Sequence, residues 1–478
     1  MKEFHYINVA GKLEGLINKN TYPVGEKLPS LRNVCQQYNV SVGTVLKAFM
    51  LLEDKGLING RERSGYVVLR KSTKLSLLPQ SIKGTLGIQD VAITQTLSKT
   101  LYANKTGKDY VSFFGAVLDS DLLPFNAIRR SLQQASRDLT GAHLQYEQPA
   151  GNTMLRQEIA KRSFKWNGKL ATDDVIITNG ALEAVSLCLR AVAKAGDTII
   201  IETPFYFGVL QTIESLGLKV IEVTGNGEEG ISIKRLEQLC STQKIAACVL
   251  MSNFNNPGGM LLSDEKKQAL AEFANCMKVP VIDDDIYGDL HYGTVRPSNI
   301  KSYDTEGWVM LCSSFSKSLA PGLRIGWCAP GRFKDKVVSL KAVTNVATAS
   351  IIQLSLLSLL RTGAYDRYLR KLRPEMHRLV LLTTKAIEEY FPESTRISRP
   401  QGGLVLWIEL PQNIDTIVLQ KAAWEQHIDF APGTLFSNSG IYENYLRISC
   451  TIWNAKRENG LKQLGTLVKQ YLNTGTYN

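Results

Sequence analysis

The chain has 478 residues, 44% hydrophobic and 21% charged, with a formal net charge of +12. That is the composition of a soluble globular protein, too long for one ordinary core and therefore of two or three domains, and its basic excess favours a polyanionic partner. Eight scattered cysteines without a Cys-x-x-Cys pair or a Cys/His cluster argue against a disulfide framework and a zinc site, and the lack of a long apolar run or signal pattern predicts a cytoplasmic protein without membrane contact.

The first 70 residues carry an amphipathic segment near 6–19, a turn at Pro23-Val-Gly25, and Leu28-Pro-Ser30-Leu-Arg32, where Ser30 can cap a helix running to about Tyr38. Asn39-Val-Ser41 makes the next turn, and Ser41 caps a helix through about Lys55. Two short helices joined by a tight turn form a helix-turn-helix. Beyond Gly56, two short strands flank the basic turn Arg61-Glu-Arg63-Ser, which reads as a wing.

The whole segment resembles the winged helix of the GntR family of bacterial regulators, through Leu28-Pro-Ser, Arg32, Val40-Ser41, Thr44-Val45, Ala48, Leu52-Glu53, Gly56-Leu57 and Gly65-Tyr-Val67. The resemblance implies binding to double-stranded DNA. Arg32 and Thr44 would meet backbone or base edges, and Ser41, Val42, Gly43 and Lys47 would form the exposed start and outer face of the recognition helix. Many relatives have arginine where this chain has Val42, and a valine offers only an apolar contact, such as one to a thymine methyl. Arg61 and Arg63 on the wing are candidates for phosphate or minor-groove contact. Residues 71–95 are mixed, interrupted by Pro79, Gly84 and Gly87, and are expected to be a linker between residues 1–70 and a large domain over 96–478.

From about residue 110, apolar strands alternate with amphipathic helices, the pattern of a largely parallel α/β sheet. Val175-Ile-Ile-Thr-Asn-Gly180-Ala-Leu-Glu183 reads as a strand turning into a helix, whose first N–H groups near Ala181 and Leu182 can hold a phosphate. Upstream of it stands Leu144-Gln-Tyr146, and further along come Glu202-Thr-Pro-Phe-Tyr206, Asn253-Phe-Asn-Asn256-Pro-Gly-Gly259, Val281-Ile-Asp-Asp284-Asp-Ile-Tyr287 and Tyr445-Leu-Arg447. Between the last two lies Ser314-Phe-Ser316-Lys317-Ser-Leu-Ala-Pro-Gly-Leu-Arg324, a loop between apolar runs. Apolar walls disfavour a charged lysine and make its free amine a usable nucleophile.

In this order the segments resemble the α/β fold type I pyridoxal-phosphate (PLP) enzymes, the aminotransferase superfamily, over roughly residues 100–470. The resemblance implies that Lys317 holds pyridoxal 5'-phosphate covalently, that Ser314, Ser316 and Arg324 face its phosphate, and that Tyr206 stacks on its ring. Asn256 and Tyr287 would bond the ring oxygen. Asp284, chosen over Asp283 and Asp285 by its spacing to Tyr287, would pair with the ring nitrogen. Tyr146 would reach the phosphate of a neighbouring subunit, implying a homodimer, and Arg447 would grip a substrate carboxylate. Relatives often have polar side chains at positions 181 and 182, so here only the backbone contribution carries over.

Both halves together resemble the MocR subgroup of GntR regulators, which implies a PLP-dependent transcriptional regulator sensing an amino acid or amine. The alternative is an active aminotransferase with an accessory DNA-binding module, since the catalytic residues are all present. A third reading is a large domain that has lost the coenzyme and survives as a dimerisation scaffold.

Overall fold

The computed structural model describes residues 5–54, 56–61, 65–68, 78–80, 84, 86–94, 110–225 and 230–475. Two compact units divide between Leu77 and Leu78.

In the first unit, helices His5–Asn18, Leu31–Tyr38 and Val42–Asp54 precede a hairpin of Ile58–Arg61 and Gly65–Val68. Its strands are antiparallel, with Ile58 opposite Val68 and Arg61 opposite Gly65. Ser30 caps the second helix by accepting from the Asn33 N–H at 3.3 Å, and Asn39 ends it in the left-handed conformation at φ 49°. Val9, Leu13, Ile17, Val34, Val45, Phe49, Leu52, Ile58 and Val68 form one buried cluster. Phe49 is its largest member and stands edge-on to Tyr66 at 4.6 Å. Burying such a side chain stabilises the unit by roughly 1.5–3 kcal/mol.

The second unit is built on an eight-stranded sheet in the order 89–90, 219–224, 198–203, 245–250, 281–284, 309–314, 326–329 and 176–178. The five strands from 219–224 to 309–314 are mutually parallel. The strand 326–329 is antiparallel to both neighbours. Strands such as Thr198-Ile-Ile-Ile-Glu-Thr203 are buried at every position, because helices cover both faces of such a sheet. A smaller antiparallel sheet orders 396–397, 405–409, 445–449 and 431–432. Helices Ala364–Tyr390 and Ala455–Thr474 carry part of the apolar cluster around it.

Of the stretch expected as a linker, 71–77, 81–83, 85 and 95 lie outside the described residues. The rest is built into the large unit: Gln89–Asp90 pairs with Val220 and Lys219, the Leu86 N–H donates to the Glu222 carbonyl, and the Gln80 N–H donates to Glu409 at 2.6 Å. A short edge strand of Ile-Gln-Asp composition gives no periodicity by which to recognise it. Among the described residues no helix is long and apolar enough to cross a membrane.

Candidate functional site

Parallel strands in an open α/β sheet present their carboxyl ends to a common crevice. Four adjacent strands end at Thr203, Leu250, Asp284 and Ser314. Residues at or just beyond these ends include Tyr206, Asn256, Asp284, Tyr287 and the Ser314–Arg324 loop.

Alternation along a strand sorts the three aspartates. Asp283 accepts from the Ser252 N–H and hydroxyl at 3.0 and 2.8 Å and from the Ile300 N–H at 3.1 Å. Asp285 pairs with Arg296 at 2.7 Å and accepts from Asn253 at 2.9 Å. Asp284 is buried, and its Oδ1 has no hydrogen-bond partner among the described residues. Burial, reinforced by the carboxylates on either side, pushes it up to about 7. The hydroxyl of Tyr287 is also buried without a hydrogen-bond partner among the described residues, and burial makes it a weaker acid than an ordinary phenol.

The Lys317 ammonium donates to the Ala116 carbonyl at 2.7 Å. Burial, then the Arg447 and Arg324 charges, lower the amine to about 8, with Asp284 opposing. Desolvation thus does here what the apolar flanks of the loop predict.

Beside the lysine, Ser314 Oγ lies 2.8 Å from both Ser316 Oγ and the Ile325 carbonyl. Arg324 stands in the left-handed conformation at φ 51°, reaching back to the Asn179 carbonyl at 2.9 Å and to Ser316 Oγ at 3.4 Å. Its guanidinium passes so close to Gly180 that a Cβ there would sit 2.6 Å from Nη2, and Gly180 itself has φ +91°. The next helix, Ala181–Val192, begins at this point with Ala181 buried and Leu182 exposed. The first N–H groups of a helix have no carbonyl to bond within it. Glu183 folds back to the Asn179 N–H and is met by Lys341 at 3.4 Å. Arginine, serine hydroxyls and a helix N-terminus therefore converge on one small region, the donor set an anion requires.

Tyr206 caps the helix Phe207–Ser215 from outside and packs against Phe207 at 4.7 Å. Asn256, joined to Pro257 by a cis peptide, is buried. Its Oδ1 accepts from Arg447 Nη1 at 3.0 Å. Arg447 is 1% exposed, donates from Nη2 to the Phe114 carbonyl, lies over the Phe436 ring at 5.1 Å, and leaves Nε without a partner among the described residues. A carboxylate ligand thus has to compete with protein acceptors for this arginine. Tyr146 is not brought to this crevice; it lies on the surface, 88% exposed.

The carbonyls of Phe114 and Ala116, which receive Arg447 and Lys317, were not among the sequence candidates. Backbone acceptors leave no signal in residue identity.

In the small unit, Ser41 Oγ accepts from the Thr44 N–H at 3.2 Å and lies 2.9 Å from its hydroxyl, capping the helix as expected. Arg32, Ser41, Gly43 and Lys47 are exposed, Val42 is 55% exposed and Thr44 is half-buried. Ala48, Phe49 and Leu52, on the other side of the same helix, are buried. Arg61 lies on the first strand of the hairpin; its side chain, and the whole of Arg63, lie outside the described residues.

The large-unit crevice fits pyridoxal 5'-phosphate: an unpartnered carboxyl and phenol at the strand ends, a neutralisable lysine, and an anion cradle beside it. Residues 116–464 match the family described as aminotransferase class I and II, and residues 5–68 match the bacterial regulatory proteins of the gntR family. The uncharacterized HTH-type transcriptional regulator YjiR of Escherichia coli is 35% identical over 97% of this chain and 98% of its own length. The chain belongs to the MocR-type GntR regulators. Its large unit resembles the kynurenine aminotransferase of Pyrococcus horikoshii, solved with PMP, with a TM-score of 0.73 and 26% identity over 80% of this chain and 96% of that one. The α-aminoadipate aminotransferase LysN of Thermus thermophilus, solved with N-(5'-phosphopyridoxyl)-L-leucine, gives a TM-score of 0.71 and 26% identity over 80% and 95%. Pyridoxal phosphate is the cofactor for which this MocR-type crevice is built.

Proposed function

We propose that the protein is a cytoplasmic, homodimeric transcriptional regulator that binds duplex DNA through its winged helix and senses an amino acid or amine at its pyridoxal-phosphate site. The observation that carries this reading is the joining, in one chain, of a coenzyme crevice with unpartnered polar groups and a helix-turn-helix whose recognition helix keeps its outer face exposed.

Bound pyridoxal phosphate supplies an aldehyde able to take up a primary amine and an electron-withdrawing ring. Lys317 would hold it covalently. Asp284, as a carboxylate, would keep the ring nitrogen protonated, and Tyr287 and Asn256 would bond the ring oxygen. Ser314, Ser316, Arg324 and the N–H groups of Ala181 and Leu182 would hold the phosphate, Tyr146 would serve the neighbouring subunit, and Tyr206 would cover the ring. With an amine ligand held at the site, the Lys317 amine would be free to donate to the Ala116 carbonyl, as it does here. A carboxylate on the same ligand would draw Arg447 from Asn256 and the Phe114 carbonyl. These contacts differ between free and liganded states, and only such differences shift a conformational equilibrium.

On the DNA side, Arg32, Lys47, Arg61 and Arg63 would neutralise phosphates, while Ser41, Val42, Gly43 and Thr44 would stand at the base edges. The same lysine, aspartate, tyrosine and arginine also support transamination as a second reading. Multiple-turnover assays with an amino-acid panel beside DNA mobility-shift assays separate the two. The decisive experiment titrates amino acids and amines into the coenzyme-loaded protein, following its absorption with and without operator. Linkage requires that operator change effector affinity by the factor by which effector changes operator affinity, typically about 5- to 150-fold. Equal effector affinities under both conditions refute the sensing role.

A further inference from the structure

A cavity of about 520 Å³ lies in the large unit and shares none of the coenzyme residues named above. Its walls come from four places: Thr203-Pro204 and Gly225 at the ends of large-sheet strands, 258–263 beyond the cis proline turn, Trp407 in the small sheet with Tyr442 beside it, and Leu78–Gln80. Its volume is that of a site for a small organic molecule. Its lining mixes apolar residues with polar ones, Arg399 among them, and Glu202 and Thr203, 3% and 2% exposed, also line it.

Glu202 Oε1 and Thr203 Oγ1 have no hydrogen-bond partner among the described residues. Glu202 Oε1 stands against Gly225, where a Cβ would come within 2.5 Å of it. The nearby Lys266 gives its ammonium to the Ile231 carbonyl at 3.0 Å. Burial pushes the Glu202 carboxyl up to about 7, with Lys266 and a hydrogen bond from the Ile231 N–H only partly opposing. A carboxylate so placed gains from a cation that brings its own N–H donor.

We propose that this cavity is a second small-molecule site, separate from the coenzyme crevice, that takes an organic ammonium ion with an apolar or aromatic body. Glu202 receives the ammonium, while the body lies against Met260, Leu262 and the Trp407 ring. The walls connect the site to its surroundings. Thr203-Pro204 leads into Tyr206, and Asn255 and Gly258 flank the turn at Asn256. Trp407 sits opposite Arg447 in the strand register. The Leu78–Gln80 side is tied to the same small sheet by Glu409, Arg396 and the Tyr445 hydroxyl. A ligand there touches both the supports of the coenzyme crevice and the first residues of the large unit.

The test uses N,N-dimethylphenethylamine, a tertiary amine that cannot form the covalent bond a primary amine makes with an aldehyde. Calorimetry on the full-length, coenzyme-loaded protein is expected to show saturable binding, and the neutral 2-phenylethanol is expected to bind on the order of tenfold more weakly or worse. Glu202→Gln, nearly isosteric, is expected to cost a similar factor, and Met260→Trp, which fills the cavity, to abolish binding, both with coenzyme absorption retained. No saturable binding to the wild type, equal affinity for amine and alcohol, or binding unchanged in both folded variants overturns the proposal. The amine and alcohol comparison needs no variant and decides the matter if either substitution disturbs folding. DNA binding plays no part, so this test fails or succeeds independently of the regulatory reading.

Discussion

Replacing Asp284 with asparagine is expected to stabilise the coenzyme-free protein, with a pH dependence of definite sign. Burial first, then Asp283 and Asp285, move this carboxyl from 3.8 to about 7. In the unfolded chain it ionises near its ordinary value, so between those two pH values the folded protein keeps a proton that the unfolded chain has released. Stability is therefore lost as pH rises through the window, and the full cost is reached above about 7. At about 1.36 kcal/mol per pH unit the cost is about 1.5 kcal/mol at pH 5 and about 4 kcal/mol at pH 8. Asparagine keeps the shape and removes the charge. Urea unfolding of coenzyme-free wild type and Asp284→Asn, followed by tryptophan fluorescence from pH 5 to pH 8, should show an advantage for the variant that widens with pH. An advantage independent of pH, or a variant less stable at pH 8, refutes the reasoning. With coenzyme present the order should reverse in affinity, because asparagine cannot oppose the charge of a protonated ring nitrogen.

Lys317→Ala should retain no coenzyme after borohydride treatment and denaturation, and covalent capture by coenzyme-free wild type should accelerate as pH rises toward about 8, where the amine becomes neutral; mass spectrometry and stopped-flow absorption check the two. Arg447→Met should weaken an amino-acid effector on the order of tenfold or more while sparing the matching amine without a carboxylate, a contrast read by spectral titration. Lys47→Ala should weaken operator binding and lower the log-log salt slope by about 0.9 if the lysine meets one phosphate, measured by fluorescence anisotropy. Phe49→Ala, removing the largest side chain of the winged-helix core, should destabilise that unit by about 3–5 kcal/mol in thermal unfolding, with coenzyme absorption unchanged.

Much of the fold was legible because its signals are local. Ser30 and Ser41 cap the helices they precede, and the buried strands appear as short apolar runs. Tyr287 lies three residues beyond Asp284, and strand alternation alone places Asp284 on the face opposite Asp283 and Asp285. The less legible features depend on groups without side-chain identity or on distant chain. The Phe114 and Ala116 carbonyls hold Arg447 and Lys317, and nothing in a Phe-Gly-Ala sequence announces an acceptor. Arg447 could be read as a carboxylate ligand, but its present engagement with Asn256 arises from a contact across 191 residues. The edge strand Gln89–Asp90 is too short for periodicity, so its stretch reads as linker. The Glu202 cavity is assembled from segments as far apart as Leu78 and Tyr442.

The contact between Gly180 and Arg324 has a genetic consequence. Position 180 combines a backbone conformation suited to glycine with a guanidinium occupying the space a Cβ would need, so almost any missense change strikes the chain turn and the phosphate cradle together. The winged helix is a separate compact unit and is expected to escape the damage. Gly180→Ala is thus expected to behave in a cell as an effector-blind allele: the product still occupies its operators but no longer answers its inducer or corepressor. On the proposed homodimeric reading, it would be dominant when co-expressed with wild type, whereas a core lesion such as Phe49→Ala would be recessive.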